Sequence, residues 1–315
     1  MTDRLPLLLF THPACASHVP PPGHAEKPER LAAVVDAIRD TYPDLPWREA
    51  PLATREQLAR VHADTLIRQV LDTRVAEGTL QLDPDTFLSP GAADAALRAA
   101  GAGVASVDAV LGDEARRAFC AVRPPGHHAT RDTAMGFCFF DSIAVAAAHA
   151  LEVHGLERVA IVDFDVHHGN GTQAIFERDP RVVFCSSHQL PLYPETGHAG
   201  ERGVGNVFNA PLPPGTSSEG FRAAWADTLL PAIEAHRPQL LLISAGFDAH
   251  QRDPLAQLEL EAVDYLWITG QLRDVARRHC EGRIVSMLEG GYDLQALGES
   301  AAAHVGALVA DGAAW

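Results

Sequence analysis

The residues of this sequence that could bind a metal ion are grouped most densely in D-F-D-V-H-H-G-N-G at residues 163–171. Asp165 and His167 are two positions apart, and alternate side chains of an extended segment point to the same side, so both can share one ion. Asp253, one residue before Pro254, is expected to supply a third ligand from a loop. Two carboxylates and one imidazole suit Zn²⁺ in an open site, and Fe²⁺ or Co²⁺ fit the same ligands.

A pair of histidines supplies groups that could move protons beside such an ion. His127 and His128 follow Pro-Pro-Gly at residues 124–126, a stiff turn that would hold both imidazoles in place. A hydrolase needs a base to take a proton from water and an acid to protonate the leaving group. Asp163 and Asn170 are the expected partners of the pair, and an imidazole facing Asp163 would have its cationic form favoured more than one facing Asn170.

A tyrosine supplies a hydrogen-bond donor at the end of E-G-G-Y, residues 289–292. The two glycines allow the backbone to turn tightly, and the phenol of Tyr292 could stabilise an oxyanion during hydrolysis.

The elements that position these clusters are short apolar runs, each ending in polar residues and glycine. Strand runs of this kind that alternate with helical patterns predict a parallel sheet covered by helices on both faces. The strand runs lie at residues 7–10, 118–122, 159–164, 182–185, 240–244 and 284–288. The helical patterns lie at residues 29–40, 91–111, 142–154, 218–236 and 258–280.

Each cluster of reactive residues follows one of these strand runs. Parallel sheets of this kind bind ligands outside the carboxyl ends of their strands. The sequence therefore predicts an active site at that edge of the sheet.

Composition limits the remaining possibilities. A chain of 315 residues with 47% hydrophobic residues can form one α/β domain over residues 1–315. A net charge of -16 argues against nucleic acid and acidic membranes as partners, because both require a basic face. The five scattered cysteines contain no C-x-x-C pair, and no segment has the signature of a signal peptide or a membrane span. We therefore expect a reduced cytoplasmic location.

The motifs R-P-P-G-H-H, D-F-D-V-H-H-G-N-G-T-Q and E-G-G-Y, in this order, closely resemble the arginase–deacetylase superfamily. Within it they resemble the branch of histone deacetylases and acetylpolyamine amidohydrolases, over residues 28–292. The resemblance implies an arginase/deacetylase-like α/β fold with a mostly parallel sheet of about eight strands. It also implies a zinc-dependent amidohydrolase that removes acetyl or other acyl groups from an amine.

The same resemblance implies a role for each matching residue. The zinc ligands would be Asp165, His167 and Asp253. The catalytic groups would be His127, His128 as the principal base and acid, Tyr292, Asp163 and Asn170. The acyl-lysine channel would be lined by Gly136, Phe137, Tyr193 and Leu255. A structural K⁺ would involve Asp163, Asp165, His167 and Ser186.

Three positions discriminate within the family. Asn170 stands where class I enzymes carry Asp, which favours the class II-like branch. Leu255 matches deacetylases that act on lysine, whereas the polyamine-selective form carries Glu there. Tyr193 departs from the usual channel Phe. The expected substrate is an acyl-lysine peptide or protein, with an acetylated small amine as the alternative.

Three other functions are less well supported by the residues. A binuclear manganese ureohydrolase of the arginase type needs further Asp and His ligands where this chain has His127 and His128. A non-catalytic reader of acyl-lysine usually lacks a ligand or the tyrosine, and both are present. An interaction scaffold has no linker, tail or repeat to support it. The oligomeric state stays open, and a homo-oligomer is compatible with the sequence.

Overall fold

A computed structural model describes residues 4–310 of the chain, and a parallel sheet runs through its centre. Eight strands form this sheet: β1 (Leu8–Thr11), β2 (Trp47–Glu49), β5 (Arg117–Cys120), β6 (Val159–Asp163), β7 (Val182–Gln189), β8 (Val207–Leu212), β9 (Leu240–Ala245) and β10 (Ile284–Leu288). A separate antiparallel hairpin consists of β3 (Leu80–Asp83) and β4 (Thr86–Leu88).

The strand order is β2-β1-β5-β10-β9-β6-β7-β8, and each neighbouring pair is parallel. The central strands β6, β9 and β10 are buried along their whole length. Burial on both faces explains why their sequences are continuous apolar runs without a polar alternation.

Helices cover both faces of the sheet. The helices are α1 (Glu29–Thr41), α2 (Arg55–Leu58), α3 (Asp64–Leu71), α4 (Ala92–Leu111), α5 (Ser142–Glu152), α6 (Asn170–Phe176), α7 (Ser218–Ala224), α8 (Leu230–His236), α9 (Ala262–His279) and α10 (Leu294–Val309). One layer contains α1, α9 and α10 packed in series, and a second contains α4 packed on α5. A π-helical segment, Trp225–Leu229, joins α7 to α8, so the predicted helix over residues 218–236 is helical throughout.

The predicted fold class is confirmed: an α/β fold with a parallel eight-stranded sheet and helices on both faces. All six predicted strand runs form strands of this sheet. The sequence prediction omitted β2, β8, the hairpin and several helices, among them α10. Since every strand of the sheet is parallel, all their carboxyl ends meet at one edge.

Candidate active site

Four adjacent strands deliver the reactive residues to the carboxyl edge of the sheet. The order β5-β10-β9-β6 places the segments that follow these strands side by side. The His127–His128 segment follows β5, Tyr292 follows β10, Asp248 follows β9, and Asp165 with His167 follows β6. Residues that are far apart in sequence thus meet because the strands preceding them are neighbours.

Asp165, His167 and Asp248 form a group that could hold a metal ion. Their ligand atoms all lie within 4.8 Å of one another, and all three residues are buried. His167 Nδ1 lies 3.1 Å from Asp165 Oδ1 and 3.2 Å from Asp248 Oδ2. The two predicted ligands Asp165 and His167 therefore come together, with Asp248 as the third member.

The prediction that Asp253 is the third ligand is wrong, because Asp248 takes that place in the group. The carboxylate of Asp253 accepts hydrogen bonds from the backbone N–H of Tyr292 at 2.7 Å and from that of Leu255 at 3.0 Å. Asp248 lies three residues after β9 and reaches the sheet edge directly, whereas a turn closed by the Asp253 N–H to His250 carbonyl bond carries Asp253 away. Asp253 instead fixes the segment that carries Tyr292. The strand-end position of G-F-D was the sequence signal that could have identified Asp248.

Backbone N–H groups orient the two carboxylates of this group. Asp248 accepts from the N–H of Val166 at 2.8 Å, and Asp165 accepts from the N–H of Gly290 at 2.8 Å. A Cβ at Gly290 would lie 2.0 Å from Asp248 Oδ2, so only glycine lets the chain approach this closely. The turn in E-G-G-Y is thus required by the packing of the strand ends.

The group fits a divalent cation by its charge and its donors. Two buried carboxylates within a few ångströms repel each other, and burying like charges without compensation is strongly unfavourable. His167 lies between them and offers one positive charge only when it is protonated. An oxygen, oxygen and nitrogen donor set without thiolate suits Zn²⁺, with Fe²⁺ or Co²⁺ as alternatives.

The histidine pair has the two partners that the sequence predicts. His127 Nδ1 lies 2.8 Å from Asp163 Oδ2, and His128 Nδ1 lies 2.8 Å from Asn170 Oδ1. Since the Asn170 oxygen only accepts, His128 Nδ1 carries its proton and Nε2 is left with a lone pair. The two imidazoles are in contact, with ring centroids 4.1 Å apart.

The different partners separate the proton affinities of the two imidazoles. Burial disfavours charge on His127, but the carboxylates of Asp163 and Asp165 outweigh it and raise the pKa of His127 well above its usual value. Burial, together with the neighbouring His127 and His167, lowers the pKa of His128 well below its usual value. At neutral pH His128 is therefore the group that can accept a proton.

Tyr292 is held by a buried arginine. Arg30 donates to the carbonyl oxygen of Gly291 at 2.6 Å and to that of Glu289 at 2.5 Å, and its guanidinium carbon lies 4.8 Å from the Tyr292 ring centroid. Burial raises the pKa of the Tyr292 phenol well above its usual value, so the hydroxyl keeps its proton as a donor. Glu26 in turn contacts Arg30 at 3.2 Å and forms a bidentate ion pair with Arg123.

A cavity of about 240 Å³ reaches His167 of the candidate metal group and His128 of the histidine pair. The four predicted channel residues all line it: Gly136, Phe137, Tyr193 and Leu255. His128, His167 and Tyr292 also line it. The predicted base, a member of the metal group and the predicted oxyanion donor therefore face the same cavity. The Tyr193 hydroxyl is buried and has no hydrogen-bond partner among the described residues.

Sequence reasoning assigned no chemistry to the first third of the chain, and it missed Asp85. Asp85, between β3 and β4, lines the cavity and accepts a hydrogen bond from the N–H of Gly136 at 3.2 Å. His24 packs against Phe137 with ring centroids 4.7 Å apart, so residues between His12 and Arg30 support the cavity wall. A single acid in a hairpin carries no local sequence signal, because its position depends on how the hairpin packs.

Of the four residues predicted to hold K⁺, Asp165 and His167 belong to the metal group, and Asp163 and Ser186 lie on the neighbouring strands β6 and β7. Asp163 on β6 and Ser186 on β7 are paired residues of the sheet. Asp163 Oδ1 accepts from the N–H of Asp165 at 3.0 Å, and Ser186 Oγ lies 2.9 Å from His188 Nδ1. The predicted residues therefore lie close together. The presence of K⁺ stays a prediction.

Two further properties concern the cysteines and the helices. All five cysteines are unpaired and buried. Within residues 4–310, every helix is too short or too polar to cross a bilayer.

Comparisons with known proteins identify the family of the chain. The family model for the histone deacetylase domain matches residues 24–308. The "Histone deacetylase-like amidohydrolase" of Pseudomonas aeruginosa is 43% identical over 279 residues, covering 86% of this chain and 73% of that protein. The human "Polyamine deacetylase HDAC10" is 37% identical and covers 96% of this chain and 46% of its own length. The crystal structure of the HDA15 HD domain superposes with a TM-score of 0.90 at 32% identity, covering 96% of this chain and 88% of that one.

Proposed function

Because the chain belongs to the histone deacetylase family, we propose that it is a zinc-dependent amidohydrolase that removes acetyl or other acyl groups from the side-chain amine of acyl-lysine. Membership makes the chain a hydrolase of the deacetylase type, whereas the zinc ion and the substrate are our proposals. They are supported by the grouping of Asp165, His167 and Asp248 and by the cavity that His167 and His128 line together. We further propose that residues 1–315 form one catalytic domain.

Asp165, His167 and Asp248 would hold the zinc ion. When bound, such an ion polarises a carbonyl and makes a water molecule more acidic. The carboxylates are already oriented by backbone N–H groups, so the ligand set is preorganised for the ion.

The chain's own residues carry the protons. His128, neutral and with Nε2 unprotonated, takes a proton from water as the water attacks the acyl carbon. The cationic His127, paired with Asp163, stabilises the negative charge that develops nearby. Tyr292 donates its hydroxyl to the acyl oxygen, where that charge accumulates. The proton held by the histidine pair then passes to the departing amine, which leaves acetate and a free amine.

The cavity wall supports a lysine side chain as the bound stem. Phe137, Leu192 and Leu255 present apolar surface, which suits the methylene groups of lysine. Leu255 adds no charge that would select a second ammonium group. The acyl-lysine substrate is therefore preferred over a small polyamine.

Acetylpolyamine is the second candidate, and one observation favours it. Asp85 places a carboxylate at the same cavity, where it could attract a second ammonium group of a polyamine. The human relative whose name includes polyamine deacetylase makes this class of substrate a reasonable competitor.

The test is steady-state hydrolysis by the purified zinc-loaded protein of an acetyl-lysine peptide beside acetylputrescine and acetylspermidine. We expect kcat/KM for the peptide to be at least about tenfold higher, a difference of about 1.4 kcal/mol in transition-state binding. A higher value for the small amines would reject acyl-lysine as the substrate and leave the metal site and proton transfers standing.

A structural K⁺ would be bound behind the zinc site by Asp163, Asp165, His167 and Ser186. We propose a reduced, cytoplasmic location, since buried unpaired cysteines persist most readily there. The substrates would be acylated peptides, proteins or small amines. The acidic net charge argues against nucleic acid and acidic membranes as partners, and a homo-oligomer is compatible with the sequence.

A further inference from the structure

A second group of metal-ligating side chains lies outside the active site. Asp108 Oδ1 lies 2.8 Å from His149 Nε2 and 2.7 Å from His154 Nε2. These three ligand atoms all lie within 4.8 Å of one another. His149 is buried, whereas Asp108 and His154 are open to solvent. The group, called here the Asp108 cluster, therefore has a fixed member and two accessible ones.

The Asp108 cluster lies at the edge of the sheet opposite the active site. Asp108 is near the end of α4, which precedes β5, and His149 is near the end of α5, which precedes β6. A helix that precedes a parallel strand ends near the amino end of that strand. An ion bound here would join the ends of α4 and α5, far from the catalytic residues.

We propose that the Asp108 cluster binds a second Zn²⁺ ion, or another late first-row divalent cation. Two imidazole nitrogens and one carboxylate oxygen are a common zinc donor set, and the exposed side leaves room for water as a further ligand. At zinc–ligand distances of about 2.0–2.1 Å, tetrahedral ligand atoms are about 3.3 Å apart. The two separations from Asp108 Oδ1 need to widen by only about half an ångström.

The positions of the two accessible members allow that widening. His154 lies after the last residue of α5, in the connection to β6, and its side chain is 26% exposed. The Asp108 side chain is 54% exposed. Both can therefore move outward while His149 stays packed between the helices.

Arg60 competes with the ion for His149. Its Nη1 atom lies 3.0 Å from His149 Nδ1, and because arginine only donates, Nδ1 accepts and Nε2 carries the proton. A neutral imidazole that binds zinc through Nε2 must carry its proton on Nδ1, which excludes the bond from Arg60. Removing Arg60 should therefore tighten zinc binding. The expected size is about tenfold, the lower end of the change that altering an outer-shell partner makes, here with the opposite sign because Arg60 competes with the ion.

The experiment is equilibrium dialysis of the full chain, stripped by a chelator, against Zn²⁺, with the bound zinc counted by mass spectrometry. We expect His154→Ala to bind one zinc ion fewer per chain than the wild type. Asp248→Asn should lose the other ion and keep the one at the Asp108 cluster. The matched control is His279→Ala, which removes a histidine paired with the single carboxylate of Glu234.

The difference between wild type and His154→Ala decides the matter. Equal zinc content in the two proteins would overturn the proposed site, as would an equal loss in His279→Ala. Weaker zinc binding by Arg60→Ala would show that Arg60 does not compete with the zinc ion for His149. Hydrolysis of an acetyl-lysine peptide should be unchanged in His154→Ala, so the failure of this site and the failure of the proposed function are distinguishable.

Discussion

The buried carboxylate of Glu26 offers a test of how the first third of the chain supports the active site. Glu26 and its partners Arg30 and Arg123 are all fully buried. Burial opposes the charge on Glu26, but the two arginines outweigh it and lower the pKa of Glu26 to about 2. The substitution Glu26→Gln keeps the shape of the side chain and removes its negative charge. Both guanidinium groups then lose the carboxylate that they share.

Breaking a buried ion pair by removing one partner typically costs about 3–5 kcal/mol, because the remaining charge is left uncompensated. We expect Glu26→Gln to lower the free energy of unfolding by about that amount in equilibrium urea denaturation. The matched control is Glu114→Gln, which breaks the Arg48–Glu114 pair, whose side chains are each 45% exposed. It should cost about 0–1 kcal/mol.

Activity gives a second readout of the same substitution. Arg30 holds the carbonyl oxygens of Glu289 and Gly291, so its displacement should move Tyr292 and lower kcat under conditions where the variant is fully folded. If Glu26→Gln and Glu114→Gln destabilise the protein equally, the reasoning about buried charge is refuted.

Three further predictions follow from single residues. Tyr292→Phe should lower kcat by about 10²–10³ through loss of an oxyanion donor while zinc content is unchanged, and near-normal turnover would remove this role. At Gly136, where φ is +58°, an added Cβ would lie 2.4 Å from His128, so Gly136→Ala should lower kcat/KM by about 10² in the peptide assay. Gly155→Ala, with φ of +69° and open space around it, is the control, and equal losses in both would contradict a steric cause. Burial lowers the pKa of His304 from 6.5 to about 3. Between these two pH values the imidazole is protonated in the unfolded chain and neutral in the folded one. Its contribution to stability is complete above pH 6.5 and falls by about 1.4 kcal/mol per pH unit as the pH drops toward 3, which urea unfolding at pH 7 and pH 5 would detect.

Much of the fold and site is predictable from local patterns. The central strands are continuous apolar runs because both faces are buried, and that pattern is visible without any partner residue. His127, His128, Asp165, His167 and Tyr292 each follow such a run, so the rule that ligands bind at carboxyl ends is enough to bring them together.

The remaining features depend on packing that the sequence does not display. β8 is the outermost strand on one side of the sheet and contains Asn209 and Pro211, which interrupt the apolar pattern. Asp248 and Asp253 are five residues apart, and only the turn between them decides which one reaches the metal group. Asp85 contributes through tertiary contacts with residues about fifty positions away.

Hydrolysis is proposed to depend on a metal ion held by Asp165, His167 and Asp248. The most direct test is hydrolysis of an acetyl-lysine peptide by protein stripped with a chelator and then reloaded with Zn²⁺, comparing wild type, Asp248→Asn and Asp253→Asn. We expect stripping to abolish activity, zinc to restore it in the wild type, and Asp248→Asn to stay inactive because it binds no zinc at this site. Asp253→Asn should recover zinc there. Activity that survives complete chelation would contradict the dependence on a metal ion. An Asp248→Asn variant that zinc restores to the wild-type rate would contradict the role of Asp248 as a ligand.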